Sequence, residues 1–379
     1  MDKKIAVISV SHLFPPHVGG IETFSYNLLS FFAKKQEIEP IALFASNSNF
    51  DKVEGNIRQI SVKTLMLFKG LYPFATIGFA YKAFRLFRNK PNKIVIINGR
   101  HLTTSYISFL ICRVLKIQYI YVDSGFQPNI FKSSFANSIL SVLDKLFFIQ
   151  IAYCAKDVIA ISGYTKNILV KLHPGLKDKI QIINTGFNDD KVLKYSSSNK
   201  EKIVVFASRI SEIKDPITTA KAFEVVSKNH LDWKFYLIGK GDFEINKKDY
   251  NFSENVEVIN ELLPQDELLK LLSKSSIYIN SSLSEGFSLA NQEALALGNV
   301  GVFSNADSNI EMASLVDIQD YIFTRKDPKD LAIKISKAIE DCERSNFENN
   351  KKISEKAIKR LSSSVLFEKY YELVTSNWK

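Results

Sequence analysis

Short apolar, β-branched runs alternate with segments of helical periodicity along almost the whole chain. Lys4–Val10, Pro40–Phe44, Ile94–Ile97, Tyr119–Val122, Val158–Ile161 and Ile180–Ile183 predict strands of a first half, with a helix over Ile21–Phe32 after the first. A polar stretch, Asn188–Lys202, holding Ser196, Ser197 and Ser198, interrupts the pattern and predicts a linker. The alternation then restarts. Lys202–Phe206, Lys234–Ile238, Val256–Ile259, Ile277–Asn280 and Val300–Phe303 predict strands, and Pro216–Lys228, Glu267–Ser273, Leu289–Leu297 and Lys329–Glu340 predict helices. Such alternation gives parallel sheets covered by helices on both faces. The expected class is therefore α/β, with two doubly wound domains in tandem (residues 1–192 and 193–362) and a helical tail over 363–379. There is no short repeat of solenoid type.

Composition narrows the picture. With 379 residues, 46% hydrophobic and 24% charged, the chain suits two globular domains and neither disorder nor a fibre. Three scattered cysteines, Cys112, Cys154 and Cys342, make neither a disulfide framework nor a zinc pattern, and fit a reducing compartment. No His/Cys metal pattern is visible. Lys69, Lys82, Arg113 and the pair Asp144 and Lys145 break the most apolar stretches, well short of the roughly 18 residues a membrane span needs. The opening MDKKIAVISV reads as a buried strand, because His12, Pro15 and Pro16 follow it where a signal peptide would have small residues.

Charge is unevenly placed. The net charge is 50 − 40 = +10; residues 1–192 carry 24 − 12 = +12, and the remainder 26 − 28 = −2. Between Gly55 and Val122 stand 11 basic residues and no acidic one. Such a face serves nucleic acid, acidic substrates or an anionic membrane, and no nucleic-acid motif accompanies it. Over Ile77–Arg88, Lys82, Arg85 and Arg88 recur at steps of three, with Ala80, Phe84 and Phe87 on another face and Phe68, Tyr72, Phe74 and Phe79 around them. That is the pattern of a basic amphipathic helix at a membrane surface, or of an ordinary core-facing helix with a solvated basic face.

Three loops carry candidate chemistry, each after a predicted strand. In Phe14–Ile21, the pair Gly19 and Gly20 precedes a helix whose N-terminus favours anions. In Ala207–Asp215, Arg209 and Lys214 are placed to meet one phosphate group, Arg by a fork of donors and Lys as a point charge. In Ser284–Ala294, Gly286 permits a tight loop, Ser288 is a candidate N-cap, and Glu285 and Glu293 are acceptors for hydroxyl groups. Taken singly, each has a plain alternative as a tight turn or a solvated surface charge.

Together and in this order, the three loops resemble the family-4 retaining glycosyltransferases, which have the two-domain GT-B fold. Glu285 and Glu293 match the family's E-x₇-E motif, Arg209 and Lys214 its Arg…Lys pair, and Gly19 and Gly20 its first-domain glycine loop. Lys156–Thr165, Ile182–Phe187, Trp233–Gly241 and the tail Phe367–Leu373 extend the similarity over most of the chain. The resemblance implies two Rossmann-like domains facing a central cleft, an acceptor-binding first domain, a nucleotide-sugar-binding second domain and a last helix crossing back to the first. It implies that Arg209 and Lys214 neutralise the departing diphosphate and that Glu293 holds the ribose hydroxyls. Glu285 and the backbone of Gly286, Phe287, Ser288 and Leu289 would hold the donor sugar and phosphate, Gly19 and Gly20 would close over the diphosphate, and the base would lie near Glu261–Leu263. The chemistry implied is metal-independent transfer with retained anomeric configuration, with no cofactor beyond the UDP- or GDP-linked sugar substrate.

The sequence departs from the family in the first domain. Ser124 or Asp123 stands where many members have His, and Asn98 where others do, with His101 nearby but out of register; these mark the expected acceptor side. In the second domain Ser288 replaces a frequent Gly, Asn291 and Gln292 replace apolar residues, and Ala306–Glu311 replaces Gly-Gly-x-x-Glu. The expected activity is transfer of a sugar to a lipid-linked glycan acceptor in bacterial surface polysaccharide synthesis, at the cytoplasmic face of the membrane. A non-catalytic GT-B subunit and a UDP-sugar epimerase are the alternatives.

Overall fold

The computed structural model of the chain describes residues 4–15, 19–67, 72–100, 102–125, 142, 149–197 and 199–376, with backbone alone at 66–67 and 72–74. The chain divides into two units: Met1–Gly186 with Ser363–Lys379, and Phe187–Ser362.

The first unit is built on β1 (Ile5–Val10), β2 (Ile38–Ser46), β3 (Phe50–Glu54), β4 (Ile57–Lys63), a separate antiparallel pair β5 (Leu65–Leu67) and β6 (Tyr72–Phe74), then β7 (Lys93–Asn98), β8 (Tyr119–Asp123), β9 (Asp157–Ala160) and β10 (Ile180–Ile182). Eight of them form one sheet in the order β10-β9-β8-β7-β1-β2-β4-β3, parallel except for β3 against β4. The central strands are continuous apolar runs because both faces are covered; every residue of β1 and β8 is buried. The β3–β4 hairpin was not foreseen. Its strands, FDKVE and IRQISVK, carry little apolar alternation, and the turn that makes them pair is Gly55-Asn56, both at positive φ as a two-residue hairpin turn demands.

The second unit holds β11 (Ile203–Ala207), β12 (Lys234–Ile238), β13 (Val256–Ile259), β14 (Ile277–Asn280), β15 (Val300–Ser304) and β16 (Ile322–Phe323), all parallel, in the order β13-β12-β11-β14-β15-β16. The order reverses between β11 and β14. Loops leaving the carboxyl ends of those two neighbours therefore meet, the arrangement in which open α/β sheets bind ligands.

Two boundaries are corrected. The expected linker Asn188–Lys202 begins with a short helix, Asp189–Val192, capped by Asn188, and a 3₁₀ turn, Leu193–Tyr195. The units part at Gly186/Phe187 rather than after Val192, because Phe187 N–H donates to Leu361 O (3.2 Å) and Lys191 Nζ donates to Gln265 Oε1 (2.6 Å), both inside the second unit. The last helix, Ser363–Ser376, belongs to the first unit: Phe367 and Tyr370 pack edge-on or tilted against Phe24 of the helix Gly20–Phe32, with ring centroids 5.9 and 5.8 Å away. Among the described residues no helix is long and apolar enough to cross a membrane.

Candidate functional site

At the β11/β14 switch point the loops carry the residues singled out from the sequence. Lys214 ends a 3₁₀ turn, Glu212–Lys214, and Asp215 follows at φ +47°, accepting from Thr218 N and Oγ1 to cap the helix Pro216–Asn229. This loop is tied to the one after β14. Ser281 Oγ lies 2.9 and 2.8 Å from Lys214 O and Asp215 O, and Leu283 N–H donates to Ile213 O (2.8 Å). The result is a tight ion pair in which Lys214 Nζ donates to Glu285 Oε1, with Ser282 Oγ donating to the same carboxylate (2.8 Å). The Glu285 side chain is 12% exposed and that of Lys214 26%. Here an ammonium and a carboxylate are pre-aligned beside a helix N-terminus. Ser288 Oγ accepts from Asn291 N–H (3.3 Å) and caps the helix Leu289–Ala296, whose first-turn amides favour an anion. Gly286 and Leu289 are half-buried on this loop, and Phe287 is buried beneath it.

Arg209 does not join Lys214. Its Nη2 donates to Asp242 Oδ1 (2.8 Å), and both side chains are more than half exposed. Asp242 was not foreseen, because it lies 33 residues away on the loop after β12. What brings it close is a pair of glycines: beyond β11 the chain keeps pairing with the chain beyond β12, and Ile210 bridges Gly241. A Cβ on Gly239 would sit 1.9 Å from Ser208 O, and one on Gly241 2.0 Å from Ile210 O. No side chain fits there.

Glu293 projects from the helix Leu289–Ala296 and is half-buried; loss of hydration raises its pKa to about 7. Gln265 Nε2 donates to its Oε1 (3.1 Å). Beneath the loops runs a buried chain of amides and hydroxyls: Asn280 Nδ2 to Asn291 Oδ1 (2.6 Å), Asn291 Nδ2 to Asn309 Oδ1 (3.1 Å), Asn309 Nδ2 to Ser304 Oγ (3.1 Å), and Ser304 Oγ to Ser282 O (2.5 Å). Asn291 and Asn309, two departures from the family pattern, are thus partners. At the far ends of the helices Gln265–Lys274 and Leu289–Ala296, Lys200 Nζ lies among the carbonyls of Leu272, Ser273, Ser275 and Leu297 at 3.4, 3.0, 2.8 and 2.5 Å. Its amine is a hydrogen-bond donor to two helix C-termini, and burial lowers its pKa to about 7.

The first unit places its expected residues differently. Gly19 is the extended N-cap of Gly20–Phe32, with the Glu22 carboxylate beside it, and a Cβ on Gly20 would touch nothing; Pro16, His17 and Val18 lie outside the described residues, as does His101. Of the expected acceptor side, Asp123 is buried and committed. Arg100, Tyr121 OH and Gly125 N–H all donate to it. Asn98 is also turned inward, its Nδ2 donating to Ser9 Oγ (2.9 Å) and Val10 O (3.0 Å). Ser124 remains half-buried at the strand end. His12, at the end of β1, is buried, which lowers its pKa to about 4 and keeps it neutral. Position after a strand was the signal that could have marked it.

The unbroken basic face also needs correction. Acidic partners stand just outside the Gly55–Val122 window: Asp51 pairs with Arg58 (2.9 Å) and Lys82 (3.6 Å), Glu39 with Lys90, and Asp123 with Arg100. On the helix Ile77–Asn89 the exposed stripe is Ile77, Tyr81, Arg85 and Arg88, with Arg85 over the Tyr81 ring. The Phe68 of the expected aromatic flank lies outside the described residues. Among the described residues no group of three or more His, Cys, Asp or Glu side chains is placed to hold a metal ion.

Comparison with known proteins identifies the family and the fold. Residues 188–360 match the family profile "Glycosyl transferases group 1" and residues 18–191 the profile "Glycosyltransferase Family 4". A curated relative, the Escherichia coli UDP-Gal:alpha-D-GlcNAc-diphosphoundecaprenol alpha-1,3-galactosyltransferase, is 26% identical over 174 residues, spanning 42% of this chain and 45% of its own length. Among solved structures, sucrose-phosphate synthase from Thermosynechococcus elongatus superposes with a TM-score of 0.73 at 15% identity, covering 99% of both chains. Anabaena HepE, solved in complex with UDP-glucose, gives 0.70 at 14% identity, covering 98% of this chain and 100% of its own. At such identities these likenesses establish the two-domain α/β fold shared with GT-B glycosyltransferases.

Proposed function

The chain belongs to glycosyltransferase family 4, and from that premise we propose that it moves a sugar from UDP-sugar to a lipid-linked diphosphate glycan acceptor, with retention of anomeric configuration and without a metal ion. The observation that carries this reading is the Lys214–Glu285 pair at the β11/β14 switch point, beside the capped N-terminus of Leu289–Ala296. The leaving nucleoside diphosphate gains negative charge as the glycosidic bond breaks. A fixed ammonium and a helix N-terminus meet that charge without reorganising, and such preorganised groups are the strongest single source of rate enhancement. Lys214 has three donors and spends one on Glu285, so it can bind phosphate while keeping the carboxylate aligned for sugar hydroxyls. Arg209 must exchange Asp242 for phosphate, an exchange that costs little for an exposed pair. Glu293 holds the ribose diol. The lipid-linked acceptor class is favoured by the E. coli relative and the uridine base by that relative and HepE. The exposed stripe Ile77, Tyr81, Arg85 and Arg88 is suited to the anionic membrane where such an acceptor resides, which makes peripheral attachment at the inner face of the membrane and a role in surface polysaccharide synthesis the matching setting.

The test is transfer from a panel of UDP- and GDP-sugars to undecaprenyl-diphosphate-linked sugars, scored for product anomer with and without chelator. Arg209→Ala and Lys214→Ala are each expected to lower transfer by on the order of 10²-fold. Near wild-type turnover in both variants, or a new sugar nucleotide in place of a glycoside, would overturn the reading.

A further inference from the structure

Glu293 is served by two residues from two other elements, and neither was singled out from the sequence. Gln265 opens the helix Gln265–Lys274, and Lys191 lies in the short helix Asp189–Val192. Lys191 Nζ donates to Gln265 Oε1 (2.6 Å), and Gln265 Nε2 donates to Glu293 Oε1 (3.1 Å). The direction of this chain is dictated at both ends. An ammonium has donors and no acceptor, so it takes the amide oxygen; an ionised carboxylate only accepts, so it takes the amide NH₂. The reversed amide would set oxygen against oxygen at one end and nitrogen against ammonium at the other. We infer that Gln265, with its amide fixed by Lys191, is a positioning residue that favours the ionised form of Glu293 and turns the carboxylate so that its second oxygen is presented to a ligand.

The chemistry requires such help. Loss of hydration alone works against the carboxylate at neutral pH. The counteracting influences are the Lys191 charge and, after it, the Gln265 hydrogen bond. The other groups around Glu293 do not supply one. Asp266 carries the same sign and lies 3.9 Å from Lys191 Nζ, and buried Tyr278 spends its hydroxyl proton on Ala207 O (2.9 Å). Lys214 is held by Glu285. With Oε1 occupied, Oε2 of Glu293 has no hydrogen-bond partner among the described residues. The ligand chemistry that fits is a vicinal diol donating to one carboxylate oxygen. This part of the inference rests on the nucleotide reading above; the positioning itself does not.

Two measurements separate them. First, the Glu293 side-chain carboxyl is titrated by ¹³C NMR in the full-length protein without nucleotide, its resonance identified as the one lost in Glu293→Gln. Gln265→Leu is expected to raise its midpoint by about one pH unit, and Lys191→Met to move it in the same direction. Gln265 is exposed and Lys191 partly so, and both variants should fold. An unchanged midpoint in both variants overturns the inference. Second, UDP and 2′-deoxy-UDP are titrated calorimetrically from pH 5.5 to 8.5. The wild type should prefer the ribonucleotide increasingly as pH rises through about 7, and Gln265→Leu should lower that preference at pH 7 by about threefold to tenfold. If the midpoint moves but Glu293→Gln leaves UDP affinity unchanged, the positioning stands and the ribose assignment fails.

Discussion

The residues of the site are held by partners that are themselves charged or polar, and this makes their behaviour depend on pH in a direction that can be worked out. Burial lifts the Glu293 carboxyl from an ordinary value of 4.5 to about 7. Between those values the folded protein keeps a proton that the unfolded chain releases, so stability falls as pH rises through this window, and the full penalty is present above 7. Glu293→Gln removes the titration. Urea midpoints measured at pH 5.5 and 8 should therefore drop more for the wild type than for the variant, by the equivalent of about 1–3 kcal/mol. Equal drops would show that Glu293 is not desolvated. Legibility at this scale was uneven. Lys214 and Glu285 could be read from their order after strands, and they do meet. Asp242 could not be read, because its approach to Arg209 depends on a backbone crossing. Asn291 and Asn309 were visible as departures from a pattern, but a bond between two helices 18 positions apart is a fact of packing rather than of spacing. The same is true of Asp51, which pairs with Arg58 and reaches Lys82 (3.6 Å) from a hairpin that the apolar pattern did not disclose.

At the level of elements, strands buried on both faces were the most legible, since a parallel sheet needs unbroken apolar runs; Ile277–Asn280 falls where the pattern put it, and Val300–Ser304 within one residue of it. The glycine crossing after β12 is a second kind of element, specified by what is missing. Gly241→Ala puts a methyl group 2.0 Å from Ile210 O, so the backbone must move. A loss of about 1–3 kcal/mol in urea denaturation is expected, together with weaker diphosphate binding as the Arg209 loop shifts. Wild-type values for both would show that the crossing is not constrained. The helix Ile77–Asn89 makes a third case. With Lys82 engaged by Asp51, the free basic stripe is Arg85 and Arg88 with Tyr81 and Ile77 beside them. Near an anionic leaflet each arginine contributes about 1 kcal/mol, screened over roughly 8–10 Å. Co-sedimentation with phosphatidylglycerol vesicles should fall in Arg85→Gln/Arg88→Gln and in high salt, whereas Lys82→Gln should change it little. Equal sedimentation with neutral and anionic vesicles would count against an electrostatic contact.

For the whole molecule the informative feature is that the second unit is an insertion: the first is completed by Ser363–Ser376, which returns after residues 187–362 have been used elsewhere. Phe367 covers Phe24 and Phe31, Tyr370 covers Phe24, and Lys35 pairs with Glu368 (2.6 Å). Deleting residues 363–379 should therefore lower the thermal transition of the first unit and leave nucleotide-induced stabilisation of the second in place; loss of both would mean the units do not fold separately. The order of synthesis gives this topology a further consequence. Domains form as units while the chain emerges, so the unit that is translated first is finished last. Until the helix Ser363–Ser376 leaves the ribosome, the apolar face around Phe24 and Phe31 is an open surface on a nascent chain, a target for a chaperone for as long as residues 187–362 take to be made.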